Sequence, residues 1–247
     1  MPIKKEEFTF INLDTIDSTN NYAKNLVNNG CENHTVIIAN TQTNGRTTKK
    51  EKWFSPKGNL YQTIMIKLKE SEEKFFPQFS FLTAVSVIDA IHEISNKKID
   101  IKIKWPNDIL LNIQKLCGIL IEKEGSFAII GIGINIITSP DKSLTKYPTT
   151  SLYESGINID KNLLAIKIVE NLIKNINICK KSKFETIVNI VKPFMYKMGE
   201  HIFVSVNNEN INGIFHDIAP NGGLILKTEK ETKTLLSAEL TKENFVK

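Results

Sequence analysis

The sequence predicts an α+β domain followed by a small all-β domain, and three observations carry that expectation. β-Branched runs of strand length alternate with two long stretches of helical periodicity through most of the chain. A polar, basic loop, Gln42 to Asn59, interrupts them. After Gly199 the texture changes to short strands at close spacing, punctuated by Asn and Gly.

The elements follow in order. Thr35 to Thr41 (TVIIANT) and Leu60 to Lys67 (LYQTIMIK) are strands bounded by Asn and Gly. Leu82, Val85, Ile88 and Ile91 recur every third residue and predict an amphipathic helix over 81–94, after Pro77. Ile101 to Trp105 reads as a strand stopped by Pro106. Cys117 to Glu122 and Phe127 to Ile137 form a pair turned by Glu124-Gly125-Ser126, and Leu164, Ile168, Leu172 and Ile176 mark a helix over 161–178. His201 to Val206, Ile211 to Ile218, Gly223 to Lys227 and Thr234 to Glu239 predict four strands turned by Asn207-Asn208 and Pro220-Asn221-Gly222-Gly223. They predict a small barrel, with the boundary near 190–199, so that 1–195 and 196–247 are separate domains.

Composition narrows the function. The 247 residues include 41% hydrophobic and 24% charged side chains, ordinary for a globular chain. The longest apolar stretch, Ala128 to Ile137, is about ten residues where a spanning helix needs about 20. No apolar segment follows Met1 to Glu7, so no secretory signal is expected. Cys31, Cys117 and Cys179 lie far apart without metal-ligand spacing and read as reduced thiols. These features predict a soluble cytoplasmic protein without a membrane partner. The net charge of +5 permits an anionic partner, but the lysines are scattered instead of concentrated on one stripe.

Four stretches place polar residues where a core would not want them. Asp17-Ser18-Thr19-Asn20-Asn21 fits a helix N-cap, and equally a set of hydroxyls and amides for a small polar ligand. The Gln42–Gly58 loop carries Gly45, Arg46, several lysines and Trp53-Phe54. It is long enough to suggest either binding or a solvated loop, and Arg suits a two-pronged grip on carboxylate or phosphate. Lys104-Trp105-Pro106-Asn107-Asp108, with Lys115-Leu116-Cys117-Gly118 behind it, brings an amide and a carboxylate to a strand end beside lysines. Gly131-Ile132-Gly133-Ile134-Asn135 sits in an apolar strand, where glycine marks close approach of a ligand or another backbone. It lacks the third glycine of a dinucleotide fingerprint, which excludes a Rossmann site.

Taken in this order, these stretches resemble the biotin–protein ligases (the biotin–[acetyl-CoA-carboxylase] ligase family) from about residue 10 to about 240. The motifs are Asp17-Ser18-Thr19-Asn20, Gly45-Arg46 with Trp53-Phe54-Ser55-Pro56 and Gly58-Asn59-Leu60-Tyr61, Lys104 to Asp108, Lys115 to Glu122, and Gly131 to Asn135. The resemblance implies a catalytic domain of the class II aminoacyl-tRNA-synthetase and biotin-ligase type, with a mixed sheet and helices, plus an SH3-like C-terminal barrel. It implies a biotin pocket of Ser18, Thr19, Asn20, Gln42, Arg46 and Lys115. It places Trp53, Lys104, Asn107, Asp108, Gly131, Gly133 and Asn135 around the nucleotide. Arg46, Lys104, Asp108 and Lys115 become the catalytic residues, with ATP and biotin as substrates and Mg²⁺ held mainly by the phosphates. The implied acceptor is a biotin carboxyl carrier domain, reached by strand addition, and the same sheet edge could serve a homodimer.

Two departures stand out. The family's loop typically reads Gly-Arg-Gly-Arg-Arg-Gly-Arg before the Trp, whereas this chain has Thr47 and Thr48 at the second Gly and second Arg. Lost glycine restricts positive φ, and a lost guanidinium removes an anion grip, so retention or formation of the activated intermediate is expected to weaken. The chain also starts close to the first catalytic strand, so a catalytic protein without the DNA-binding repressor domain of some members is expected. Three other readings remain open. They are a lipoate or octanoyl ligase or transferase of the same fold, a non-catalytic biotin-binding protein, and a nucleic-acid module supported by the charge and Lys49-Lys50.

Overall fold

The computed structural model describes residues 2–48, 51–97, 99–141, 143, 145, 147–181, 184–207 and 209–245. Lys49-Lys50 and the second residue of the Asn207-Asn208 turn lie outside the described residues.

The first sheet begins with a strand the periodicity did not mark, β1 (Phe8–Ile16). Its residues alternate too weakly in burial to read as a strand alone. Helix α1 (Thr19–Asn28) carries the chain to β2 (His34–Gln42), which lies parallel to β1. β3 (Leu60–Lys67) follows the long loop, and then α2 (Phe79–Ser95). Next come β4 (Ile101–Lys104), β5 (Asp108–Leu111), β6 (Gln114–Glu124) and β7 (Phe127–Ile134). Asp108 therefore opens a strand of its own instead of ending a turn. The chain reverses through Trp105-Pro106-Asn107, and Lys104 faces Asp108 across the resulting hairpin. The sheet order is β1-β2-β3-β7-β6-β5-β4, antiparallel throughout except for β1 and β2.

Side chains alternate between the two faces of a strand, and here the faces have different coverings. One face presents Ile64, Ile130, Ile132 and Ile119 to the main core, where α2 and α3 (Lys161–Lys181) pack side by side. A buried hydrogen bond from Asn175 Nδ2 to Ser86 Oγ, 2.9 Å, joins these two helices, and Gln62 Nε2 reaches the Ala165 carbonyl at 3.1 Å. The other face presents Ile37, Met65 and Ile129, covered by Ala23, Tyr22 and Leu26 of α1. Because α1 is short, it covers only part of that face. Next to it, glycine strips that face of bulk: Gly118 and Gly133 stand opposite each other across β6 and β7, and Gly131 stands opposite Leu120.

Helix α4 (Phe184–Val191), which the sequence reading did not mark, leads toward the second sheet. Met195 lies against Ile103, and the Tyr196 amide donates to the Ile103 carbonyl at 2.9 Å, so the connecting chain caps the outer edge of β4. The C-terminal sheet has five antiparallel strands where four were expected, in the order β11-β10-β9-β8-β12. They are β8 (His201–Val206), β9 (Glu209–Ile218), β10 (Leu224–Lys227), β11 (Thr232–Leu235) and the two-residue β12 (Glu239–Leu240). Its apolar side joins the main core through Ile202, Val204, Phe215 and Leu224. Trp105 Nε1 fixes the docking with a 3.0 Å hydrogen bond to the Gly222 carbonyl, a position whose φ of 83° suits glycine.

Candidate functional site

Parallel pairing of β1 and β2 brings two polar segments to the same end of the sheet. The turn after β1 holds Ser18 to Asn20, and the loop after β2 begins at Gln42. The pairing continues past the strands, with the Thr43 amide on the Ile16 carbonyl at 2.9 Å and Asn44 on Asp17 at 2.8 Å. Ser18 occupies the N-cap position of α1 but makes no side-chain capping bond, so capping does not account for its burial. Gln42 Oε1 instead accepts from the Thr19 amide at 2.9 Å and hydroxyl at 3.2 Å, while its Nε2 donates to Ser55 Oγ at 3.2 Å.

Asn20 sits directly on the Gly131 rung. A Cβ at Gly131 would lie 2.4 Å from Asn20 Oδ1, so glycine is required for the amide to lie this close. Thr63 Oγ1, across β3, lies 2.6 Å from the same oxygen and 2.8 Å from Thr19 Oγ1. Asn20 Nδ2 donates to Glu122 at 2.8 Å. Glu122 also receives Lys24 at 2.6 Å and both Arg46 nitrogens, at 3.1 and 2.8 Å. Burial alone would raise the Glu122 carboxyl, but these hydrogen bonds outweigh it and hold the pKa below the usual carboxylate range. Arg46 Nε is buried without a hydrogen-bond partner among the described residues.

The loop after β2 folds back as a small hairpin. Arg46 pairs with Lys52, and the Trp53 amide donates to the Gly45 carbonyl at 2.8 Å. This lays the Trp53 indole flat on the Gly118–Gly133 rung, where a Cβ on Gly133 would come within 2.6 Å of Nε1. That indole nitrogen is buried and, among the described residues, has no hydrogen-bond partner.

A second cluster lies beyond Trp53, at the β4–β5 hairpin. Asp108 accepts from Lys115 at 2.7 Å on one oxygen and from Lys104 at 3.0 Å on the other. Burial would raise this carboxyl, and the two ammonium groups more than reverse the effect, leaving the pKa lowered. The cluster is two cations and one anion, so it keeps net positive charge with which to meet another anion. Lys115 Nζ also lies 5.2 Å from the Trp53 ring centroid, which joins the two clusters. Cys117 is fully buried nearby and its thiol is pushed up by burial and by Asp108, so the hairpin offers no thiolate.

The remaining expected residues have structural partners. Asn107 Nδ2 donates to the Ile119 carbonyl at 2.7 Å and to Thr48 Oγ1 at 2.9 Å. Asn135 Nδ2 donates to the Thr150 carbonyl at 3.0 Å. Gly131 and Gly133 meet Asn20 and Trp53. Four site members were missing from the sequence-based set: Glu122, Thr63, Lys24 and Gly118. Counting every second residue from Gly118 would have put Glu122 on the glycine face, and Thr63 is a hydroxyl inside an apolar run.

Residues 13–136 match the model of the Biotin/lipoate A/B protein ligase family, and residues 197–240 match that of the Biotin protein ligase C terminal domain. The chain is 29% identical over 243 residues to the bifunctional ligase/repressor BirA of Bacillus subtilis, covering 92% of this chain and 72% of that one. It is 28% identical over 233 residues to the biotin–[acetyl-CoA-carboxylase] ligase of Paracoccus denitrificans, covering 91% and 96%. The biotin protein ligase of Aquifex aeolicus, solved with biotin and ATP, superimposes with a TM-score of 0.81 at 27% identity, covering 94% of this chain and 97% of that chain.

Proposed function

Since the chain belongs to the biotin/lipoate A/B protein ligase family, we propose that it is a biotin–protein ligase that forms biotinoyl-5′-AMP and transfers biotin to a carrier lysine. The observation that supports this best is the pair of clusters joined across Trp53: a polar cluster seated on the glycines of β6 and β7, and a lysine-clamped carboxylate beside it. The C-terminal match is to the biotin ligases, which leaves the lipoate and octanoyl reading less supported.

In this reading Ser18, Thr19, Asn20, Gln42 and Arg46 receive the polar head of biotin, and the Trp53 ring covers its apolar body. The biotin carboxylate points toward Lys115. There it attacks the α-phosphate of ATP, forming the acyl–phosphate anhydride and expelling pyrophosphate. Two anions must meet, and Lys104 and Lys115 supply the charge that lowers their repulsion. Asp108 fixes both ammonium groups in place. Its lowered pKa makes it a weak proton acceptor, which favours a role in orienting the incoming lysine over deprotonating it. Transfer then forms an amide and releases AMP. Asn107 and Asn135 stand on the nucleotide side, Trp53 lies between the two substrates, and Gly131 and Gly133, expected at the nucleotide, instead seat Asn20 and Trp53.

Magnesium finds no cage among the described residues: no three His, Cys, Asp or Glu side chains converge, and both Asp108 oxygens face lysines. The ion belongs with the phosphates in this reading. The acceptor is a carboxyl carrier domain. β1, paired only with β2 among the described strands, offers the edge along which an acceptor or a second copy would add. No described helix is long and apolar enough to cross a membrane, and the reading assigns the protein to the cytoplasm, without DNA. A division into domains at 195/196 accords with the two sheets.

The test is incubation with ATP, Mg²⁺ and biotin, with and without a carrier domain, read by intact mass. The expected result is an acceptor heavier by one biotinyl group, dependent on ATP. Bound biotin with no adenylate would mean a binding protein without catalysis.

A further inference from the structure

We infer that Tyr147 is a positioning residue that ties the lysine pair to the C-terminal sheet. The inference rests on the ligase reading for the role of Lys104 and Lys115.

Several contacts converge on this side chain. Lys104 Nζ lies 4.6 Å from the centroid of its ring. Its hydroxyl lies 2.7 Å from Glu239 Oε1 and 2.6 Å from the Leu240 carbonyl, both in β12, the short outer strand of the second sheet. The ring also packs against Phe245 at 4.9 Å between centroids. The three residues that follow Tyr147 hold the other lysine by its backbone. The Lys115 amide donates to the Pro148 carbonyl at 2.7 Å, Thr149 pairs with Lys115, and the Thr150 amide donates to the Lys115 carbonyl at 3.0 Å. Asn135 Nδ2 fastens the same segment through Thr150. Residues 147–150 are therefore a strap that sets Lys104 and Lys115 relative to each other.

The ring has a property a carboxylate would lack. Its electron-rich face attracts an ammonium without neutralising it. Asp108 cancels one of the two lysine charges, and a second carboxylate would cancel the other. Tyr147 holds Lys104 and leaves its charge available to phosphate. The hydroxyl clamp on β12 fixes the ring from behind, so the C-terminal sheet acts on ATP through one side chain.

The experiment measures adenylate formation against ATP and against biotin for Tyr147→Leu, Tyr147→Phe and Glu239→Gln, with biotin affinity without ATP and the thermal midpoint alongside. Tyr147→Leu is expected to lower kcat/KM for ATP about tenfold, because the lysine is released by a fraction of an ångström or more. Biotin affinity should stay at the wild-type value. Tyr147→Phe keeps the ring but loses the hydroxyl contacts to β12, so it should recover only part of the loss, leaving KM for ATP about threefold above wild type, and Glu239→Gln should match it. Wild-type ATP dependence in Tyr147→Leu would overturn the inference. So would a parallel loss of biotin affinity, which a merely packed residue would cause. If the Leu variant does not fold, Tyr147→Phe decides: its KM for ATP should rise about threefold, and an unchanged value overturns the inference. Wild-type protein that forms no adenylate would instead sink the ligase reading, and this inference with it.

Discussion

Arg46 closes on Glu122 as a two-pronged pair, with Nη1 on one carboxylate oxygen at 3.1 Å and Nη2 on the other at 2.8 Å. The same carboxylate holds Asn20 and Lys24, so one residue of β6 fixes the loop after β2 and the start of α1 together. Glu122→Ala releases all three donors. The expected outcome is a loss of about 2 kcal/mol in stability and a biotin affinity lower by about tenfold, measured by urea unfolding and calorimetry. Unchanged biotin binding would show that the loop is positioned by other contacts.

The glycine rungs make a steric prediction. A Cβ at Gly133 falls 2.6 Å from Trp53 Nε1 and 2.7 Å from Cε2, distances no side chain tolerates. Gly133→Ala should push the indole off the sheet at a cost of about 1–3 kcal/mol while the strands stay paired. Tryptophan fluorescence should shift to the red and biotin affinity should drop. An unshifted spectrum would place the indole elsewhere.

Asp108 makes a pH prediction. Its folded pKa is lowered, so its stabilising effect is fully present above the unfolded value of about 3.9 and is lost as pH falls through the folded value. Asp108→Asn leaves two poorly exposed lysines without their carboxylate and should cost about 3–5 kcal/mol at pH 7. The gap between wild type and variant should persist down to about pH 5 and close below about pH 4. Chemical denaturation across that range tests it. A gap that closes near neutrality would mean the carboxyl is not depressed.

Thr48 stands at the second arginine position of the family's loop and accepts a hydrogen bond from Asn107 Nδ2 at 2.9 Å. Thr48→Arg restores a guanidinium there. Release of preformed biotinoyl-adenylate should slow by about threefold to tenfold, read in a chase experiment. Equal release rates would clear the loop substitution of any role in retention.

Much of the frame was legible, for physical reasons that differ by element. β2, β3 and the α2 periodicity were plain because each buries a regular apolar face. β5 was hidden because Pro106-Asn107-Asp108 has turn chemistry, and only the hairpin that returns Asp108 opposite Lys104 makes it a strand. β1 was hidden because an outer strand with one parallel neighbour shows weak alternation. In the site, motif residues were legible as types but their partners were not. Glu122 reaches Arg46 across 76 positions, and Tyr147 reaches Glu239 across 92, separations that no local spacing encodes. The glycines illustrate the same divide. Their place in a strand signalled close approach, yet only the fold tells that the approaching groups are Asn20 and Trp53.

The base of the loop after β2 is held by main-chain contacts, Trp53 to Gly45 and Arg46 against Lys52, that use no side chain from the residues between Arg46 and Lys52. Arg46 and Trp53 are thus anchored at the two feet of the loop, independently of the letters between them. Substitutions in that interval can accumulate over evolutionary time and reset how long an activated product dwells, without disturbing how the acid is first recognised. Lineages with different carrier supplies would be able to adjust that dwell time through a handful of codons.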